Sequence, residues 1–254
     1  MPVETSAAFG PIEPGTPGPL YRAVKRSLLR AIERRDCAPG DALPSEGTLA
    51  RAFGVSIGTV RHAVDELVAE HILNRQQGRG TFVAVHNADR FLFQFFHVER
   101  SDGLREVPKV ELVLFERARA EEEHAAALGL KAGDPVLRIE NRLLLQGRPV
   151  IHDRLTLSTL LFRGLSEKRF RERPSTIYHL YETEFAISVT RARERARAAG
   201  ADRPAARVLG IAPGTPVMEL HRTALTFGDK PVEHRVSIIN TAHHDYVHLL
   251  SRPT

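Results

Sequence analysis

From position 20 onward the apolar residues fall at helical spacing. Leu20, Val24, Leu28 and Ile32 recur every four positions, with Leu29 alongside, while Arg22, Lys25, Arg26 and Arg30 form a basic flank, so the spacing predicts an amphipathic helix. Ala38-Pro39-Gly40-Asp41 ends it, because proline cannot continue a helix and glycine frees the backbone. After a short element at Ala42 and Leu43, Ser45 caps a brief second helix that Gly54 closes and that turns Leu49, Ala50 and Phe53 inward. Ser56 caps a third, in which Val60, Ala63, Val64, Leu67 and Val68 share one buried face, leaving Ile57, Gly58, Thr59 and Arg61 outward or sideways on the first turn. Ile72 and Leu73 begin a strand, 76–80 is a glycine-permitted turn and 81–85 is the returning strand, which gives three helices followed by a hairpin.

The pattern then changes. An aromatic-rich stretch at 91–96 and a strand at 110–115 precede an Ala- and Glu-rich helix at 118–128, ended by Gly129. Gly133-Asp134-Pro135 turns into a strand at 136–145, and Gln146-Gly147-Arg148-Pro149 makes a hairpin to a strand at 150–157. A similar set recurs as a helix at 205–209, a turn at Ala212-Pro213-Gly214, a strand at 217–227, a turn at 228–231 and a strand at 232–239. Segments 127–149 and 208–231 thus share one order of signals, which predicts two related helix-turn-hairpin units in one sheet. The expected class is α+β with a mostly antiparallel sheet. Arg191, Arg193, Arg195 and Arg197 alternate with Ala192, Glu194 and Ala196, as on a strand with one solvated face; edge protection and a phosphate track are the two readings.

Composition narrows the function. The 254 residues, 42% hydrophobic and 26% charged, suit two modest domains, and a net charge of +5 permits nucleic-acid binding without requiring it. The single cysteine, Cys37, excludes an intramolecular disulfide framework and a multi-cysteine zinc site. No stretch reaches the roughly 18–20 apolar residues of a membrane helix, and residues 1–19, rich in Pro and Gly without a signal-peptide pattern, are expected to be a disordered arm. The remaining organisation is expected to be a domain of three helices and a hairpin at 20–86, a linker at 87–95 and an α+β domain at 96–254, and the lone cysteine fits a cytoplasmic protein.

In a helix, turn, helix and wing, the second helix of the pair enters the major groove by its N-terminal end. Arg61 suits guanine O6 and N7, while Ser45, Ser56 and Thr59 stand beside helix N-termini that favour phosphate. Gly58 lets the backbone approach closely, and Gln77, Gly78 and Arg79 border the minor groove from the wing. His243, His244 and His248 are metal-capable but lack a recognisable ligand set, so no metal is assigned. No Ser-His-Asp order, P-loop or dinucleotide fingerprint occurs, and no cofactor or catalytic set is assigned.

Leu43-Pro44-Ser45-Glu46, Leu49-Ala50, Phe53-Gly54-Val55-Ser56, Gly58-Thr59-Val60-Arg61, Ala63-Val64, Leu67 and Gly78-Arg79-Gly80-Thr81-Phe82-Val83 together resemble the winged helix-turn-helix of the GntR family of bacterial transcription regulators. Gly47 and Ile57 stand where that family usually or often has arginine, so recognition is expected to lean on Arg61 and the wing. The remainder resembles the UTRA effector domain of the HutC subfamily, with its chorismate-lyase-like fold. The features are Leu137-Arg138-Ile139-Glu140, Gly147-Arg148-Pro149, Ser175-Thr176-Ile177-Tyr178, Glu194, Ala205, Leu209-Gly210, Gly214-Thr215-Pro216-Val217, Pro231-Val232-Glu233 and Tyr246.

That resemblance implies a homodimer that senses a small molecule. The Arg-x-Arg pair expected of sugar-phosphate sensors is replaced by Asn141 and Leu143, with Arg142 on the opposite strand face, which removes a bidentate phosphate clamp. Asp153, Thr176, Tyr178 and Glu233 hold matching pocket positions, and His97 and Arg235 are neighbours suggested by their chemistry. The expected effector is a polar metabolite or organic acid rather than a phosphosugar. The reading is therefore an effector-controlled repressor that binds a pseudo-palindromic double-stranded DNA operator as a dimer, with no membrane partner. The alternative is an enzyme of lyase-like fold carrying a DNA-binding module, and a third is an architectural DNA-binding protein.

Overall fold

The computed structural model describes residues 9–13, 18–85, 95–173 and 175–248. The chain divides into two compact units, Met1–Val85 and His86–Thr254. No helix among the described residues is long and apolar enough to cross a membrane.

The first unit contains helices α1 (Leu20–Glu33), α2 (Glu46–Phe53) and α3 (Ile57–Ala69), then the hairpin β1 (Leu73–Gln76) and β2 (Gly80–Val83). Val24, Leu28, Leu49, Phe53, Val60, Ala63, Val64 and Leu67 are buried, as the spacing predicts. Leu20, expected to join them, is 49% exposed because it opens α1 rather than lying within its buried stripe, and Val68 is only partly buried. Gly54 ends α2 in the left-handed conformation (φ 67°), which costs glycine nothing.

The expected disordered arm needs a correction over residues 9–13. Phe9 is buried and meets the Phe53 ring edge-on, with centroids 5.4 Å apart, while the Ile12 amide donates to the Phe53 carbonyl at 3.0 Å. An apolar ring and a donor for an orphan helix-end carbonyl are enough to dock this short piece. The other arm residues, 1–8 and 14–17, and all of the expected linker except Phe95 lie outside the described residues. Phe95 itself is buried in the second unit.

The second unit is built on a six-stranded antiparallel sheet of order β4-β5-β6-β9-β8-β7. Its strands are β4 (Lys109–Arg119), β5 (Pro135–Leu145), β6 (Arg148–Ser158), β7 (Arg191–Gly200), β8 (Pro216–Leu225) and β9 (Pro231–Ile239). Helix α4 (Glu122–Leu128) lies between β4 and β5, α5 (Glu167–Arg171) and α6 (Ile177–Phe185) between β6 and β7, and α7 (Arg203–Leu209) between β7 and β8. A small pair of β3 (Val98–Arg100) and β10 (His244–Tyr246) completes the described elements.

The internal echo is a real repeat. Strand, helix, hairpin occurs as β4-α4-β5-β6 and again as β7-α7-β8-β9, and the two halves join where β6 pairs with β9. Each helix crosses to the other half: α4 packs on β9 and α7 on β6. Ala118 and Arg119, expected in a helix, instead pair with Val136 and Pro135, so sheet pairing overrides alanine's helix propensity and α4 begins only at Glu122. The strand expected at 217–227 ends at Leu225, with Phe227 in a short 3-10 turn.

The face of the sheet carrying Leu137, Ile139, Leu155 and Leu157 meets Phe95, Phe162, Phe170, Tyr178 and Tyr181 in the main core. The reverse face meets α4 and α7 through small residues such as Ala125, Ala205 and Ala206. Strand β7 is an edge strand, and its four arginines alternate with Ala192, Glu194 and Ala196, so charge guards an otherwise open edge.

Candidate functional site

In the first unit, the Ser45 hydroxyl accepts from the Thr48 amide at 3.2 Å and that of Ser56 from the Thr59 amide at 3.1 Å. Each cap fixes the start of its helix. A cleft of about 560 Å³ opens between the start of α2, the first turns of α3 and the β1–β2 hairpin, and it brings Ser45, Arg61, Gln77 and Gly78 together. Ser56, Gly58 and Thr59 line a separate shallow surface with Tyr21 and His62. Arg79 is exposed in the hairpin turn, where Gly78 (φ 72°) and Gly80 (φ 121°) supply the left-handed backbone.

Arg61, 61% exposed at its side chain, is held in place by an ion pair: its Nε donates to Glu46 Oε2 at 2.9 Å. Arg75 from β1 reaches Glu46 at 3.3 Å and Asp65 at 2.8 Å. Glu46 therefore holds a helix arginine and a wing arginine over one cleft. Neither Glu46 nor Arg75 is among the site residues expected from the sequence, because their meeting depends on how the hairpin folds back on α2 and α3.

The second unit holds a cavity of about 410 Å³ lined by Val107, Pro108, Val110, Asn141, Leu143, Asp153, Arg171, Arg173, Ser175, Thr176, Ile177 and Arg235. Period-two alternation places Asn141, Leu143, Asp153 and Arg235 on the same sheet face. Arg142 points away and binds Glu111 on β4 through Nη2 at 2.6 Å. Thr176 caps α6 by accepting from the His179 amide at 3.2 Å, so the N-terminal end of that helix forms one wall.

Beneath the cavity runs a buried polar network. Arg235 donates from Nε to Glu233 Oε1 (2.9 Å) and from Nη1 to Asp153 Oδ2 (3.1 Å), while Ser237 donates to Asp153 Oδ1 (2.5 Å). Tyr181 and Tyr178 donate to Glu233 at 2.7 and 3.3 Å. Burial, followed by the Glu233 charge, pushes the Tyr178 phenol up to about 12, so it remains a donor at neutral pH. Burial works against the Arg235 cation, yet Glu233 and Asp153 together hold its pKa well above the usual range.

Three predicted residues, Asp153, Thr176 and Arg235, thus line the cavity, whereas Tyr178 and Glu233 lie under it as support. His97 does not line it. It borders a void of about 20 Å³ with Arg222 and Tyr246 that also touches Asp153 and Arg235 of the cavity lining, its ring lies near those of Tyr246 (5.5 Å) and His248 (4.9 Å), and burial brings its pKa down to about 4.

Arg171 and Arg173 were missed. Arg171 is tied to Glu167 at 2.9 Å, but Arg173 has no carboxylate partner among the described residues. Its guanidinium lies over the Phe170 ring (4.4 Å to the centroid) and donates from Nη1 to the Phe170 carbonyl at 2.5 Å, while its buried Nε has no hydrogen-bond partner. Asn141 Oδ1 is likewise buried and unbonded. The basic run before Ser175-Thr176 was the available signal.

Two family models match the chain: bacterial regulatory proteins of the gntR family over residues 20–83, and the UTRA domain over residues 103–245. The chain is 30% identical over 240 residues to the HTH-type transcriptional repressor NagR of Bacillus subtilis, covering 93% of this chain and 97% of that protein. It is 35% identical over 118 residues to the histidine utilization repressor of Klebsiella aerogenes, covering 46% and 49%. Among solved structures, the ligand-binding domain of a protein assigned to the GntR-family transcriptional regulators of Bordetella bronchiseptica superposes with a TM-score of 0.59 at 32% identity, covering 63% of this chain and 99% of that one.

Proposed function

Because the chain belongs to the GntR family of bacterial regulatory proteins and carries a UTRA domain, a family of transcription regulators rather than enzymes, we propose that it is a repressor whose hold on its operator is set by a small organic acid. Two subunits place α3 on neighbouring half-sites of a pseudo-palindrome, with Arg61 reading a base edge and the wing residues Gln77, Gly78 and Arg79 beside the backbone. Ser45, Ser56, Gly58 and Thr59 bring backbone N–H groups and hydroxyls to phosphates.

The observation that carries the effector class is Arg173. A guanidinium with a buried, unbonded donor at a cavity wall is costly unless a ligand supplies the acceptor. Arg235 lines the same cavity and its Nη2 is also buried without a hydrogen-bond partner, but Asp153 and Glu233 already balance its charge, so it offers a further donor rather than an unpaired cation. A carboxylate on Arg173, with a ligand N–H or O–H donated to Asn141 Oδ1, satisfies two of the three orphaned polar atoms of the lining. Asn141 and Leu143 supply no guanidinium, and the other lining arginines are matched by carboxylates, Arg171 by Glu167 and Arg235 by Asp153 and Glu233, which favours the acid over a phosphate dianion.

The test combines a gel shift on the chain's own promoter with thermal-shift screening of organic acids, sugar phosphates and neutral sugars. Promoter DNA should be preferred over scrambled duplex, and Arg61→Ala should cost about 1–3 kcal/mol of that preference, concentrated at one base pair. Acids should stabilise the wild type and act about tenfold or more weaker on Arg173→Gln, the loss expected for a charged hydrogen bond. Neutral sugars binding both proteins equally, with acids inert, would overturn the effector class.

A further inference from the structure

On the sheet face opposite the cavity, three elements bring metal-ligating groups together. Glu123 comes from the first turn of α4, His221 from β8 and His234 from β9, and one ligand atom from each lies within 4.8 Å of the other two. Their union depends on the crossing of α4 from its own half of the repeat onto β9 of the other.

Three further observations bear on a ligand there. First, His234 is 3% exposed and its Nδ1 is buried without a hydrogen-bond partner. Second, His221 is oriented: Nε2 lies 2.6 Å from Glu219 Oε1, and Arg197 fixes that same oxygen. With the proton on Nε2, the lone pair of Nδ1 faces Glu123 Oε1 at 3.1 Å, the carboxylate–histidine arrangement that prepares an imidazole to ligate. Third, the His124 ring stands 5.5 Å from that of His234, and the His221 and His234 rings are 6.0 Å apart, so a further imidazole stands beside the trio.

We propose that Glu123, His221 and His234 bind one divalent transition-metal ion, of which Zn²⁺ is the probe of choice, on the reverse face of the effector domain. Two neutral imidazoles and one carboxylate are a recurrent three-ligand set for such ions, leaving one position for water or for His124. Tetrahedral ligands about 2.0–2.1 Å from zinc stand roughly 3.3 Å apart, so the observed spread closes by a small movement of the exposed Glu123. The ion would clamp α4 to the β8–β9 hairpin. His234 sits between Glu233 and Arg235 in β9, so this clamp and the cavity network share a strand while facing opposite ways.

The experiment is calorimetric titration of the untagged, chelator-treated full chain with ZnCl2, repeated for Glu123→Gln, His221→Gln and His234→Gln, with His244→Gln as the control from the histidine-rich C-terminal segment. One ion per chain is expected, with affinity falling at least about 100-fold in His221→Gln and His234→Gln, more than the loss of an outer partner produces. Glu123→Gln, at an exposed helix position, keeps the fold and is expected to weaken binding about tenfold or more. His244→Gln should bind as the wild type does. Visible absorption of the Co²⁺-loaded chain reports the ligand geometry and should change with Glu123→Gln. Absence of saturable binding to the wild type, or undiminished binding by Glu123→Gln and His221→Gln, overturns the proposal, as does loss only in His244→Gln.

Discussion

Asp153 and Glu233 both face one buried guanidinium, that of Arg235, and the arrangement holds because other groups share the excess negative charge. Ser237 donates to Asp153, and two tyrosines donate to Glu233. Removing the cation while leaving both carboxylates buried is far worse than never having had the pair. Arg235→Ala should therefore cost about 3–5 kcal/mol of stability in denaturant unfolding. A change within experimental error would mean that water reaches the site freely. His97 gives a second residue-level expectation. Burial depresses its pKa from 6.5 to about 4, so across that window the unfolded chain binds a proton that the folded chain refuses. Its contribution is constant above the window and falls as pH drops through it. His234 and His244 are shifted the same way, so the measurement is the difference between wild type and His97→Gln. The variant should lose less stability between pH 6.5 and 4, and superimposable profiles would remove His97 as a source.

At the level of elements, the caps connect fold to function. Ser56 satisfies the Thr59 amide and thereby fixes the turn that presents Gly58 and Arg61. Ser56→Ala should lower stability by about 1 kcal/mol and weaken DNA binding further by loosening that turn, measured by urea unfolding and gel shift on the same sample. Ser56→Asp should recover the stability but not the DNA affinity, since it adds negative charge beside phosphate. These caps, the three helices, the wing and the doubled helix-hairpin unit were legible because each rests on local signals: a hydroxyl before a helix, glycine after it, alternation along a strand. Long-range pairing was not. That α4 and α7 exchange halves, that Glu46 gathers Arg61 and Arg75, and that Arg173 reaches the cavity all depend on packing between segments far apart in the chain. His97, suggested by its chemistry, lines not the main cavity but a small void that shares Leu143, Asp153 and Arg235 with it, a placement that also depends on long-range packing.

For the whole molecule the decisive quantity is the free energy that links the two ligands. If an acid bound at Arg173 changes operator affinity by some factor, operator DNA must change the acid's affinity by the same factor, whatever conformational route carries the effect. Couplings of this kind are typically about 1–3 kcal/mol, or about 5–150-fold, and an effector that binds both states equally shifts nothing. The two factors can be measured independently: operator affinity by gel shift at zero and saturating acid, and acid affinity by calorimetry with and without saturating operator, at one salt concentration because phosphate contacts make DNA affinity strongly salt-dependent. They should agree. Arg173→Gln should retain operator binding in the absence of acid while losing the response, because it lies in the second compact unit and alters the ligand rather than the reading head. Arg61→Ala should do the reverse, keeping acid affinity and losing the operator. Should Arg173→Gln weaken operator binding without any acid present, the cavity would be part of the DNA-binding conformation itself, and a simple two-site account of regulation would fail.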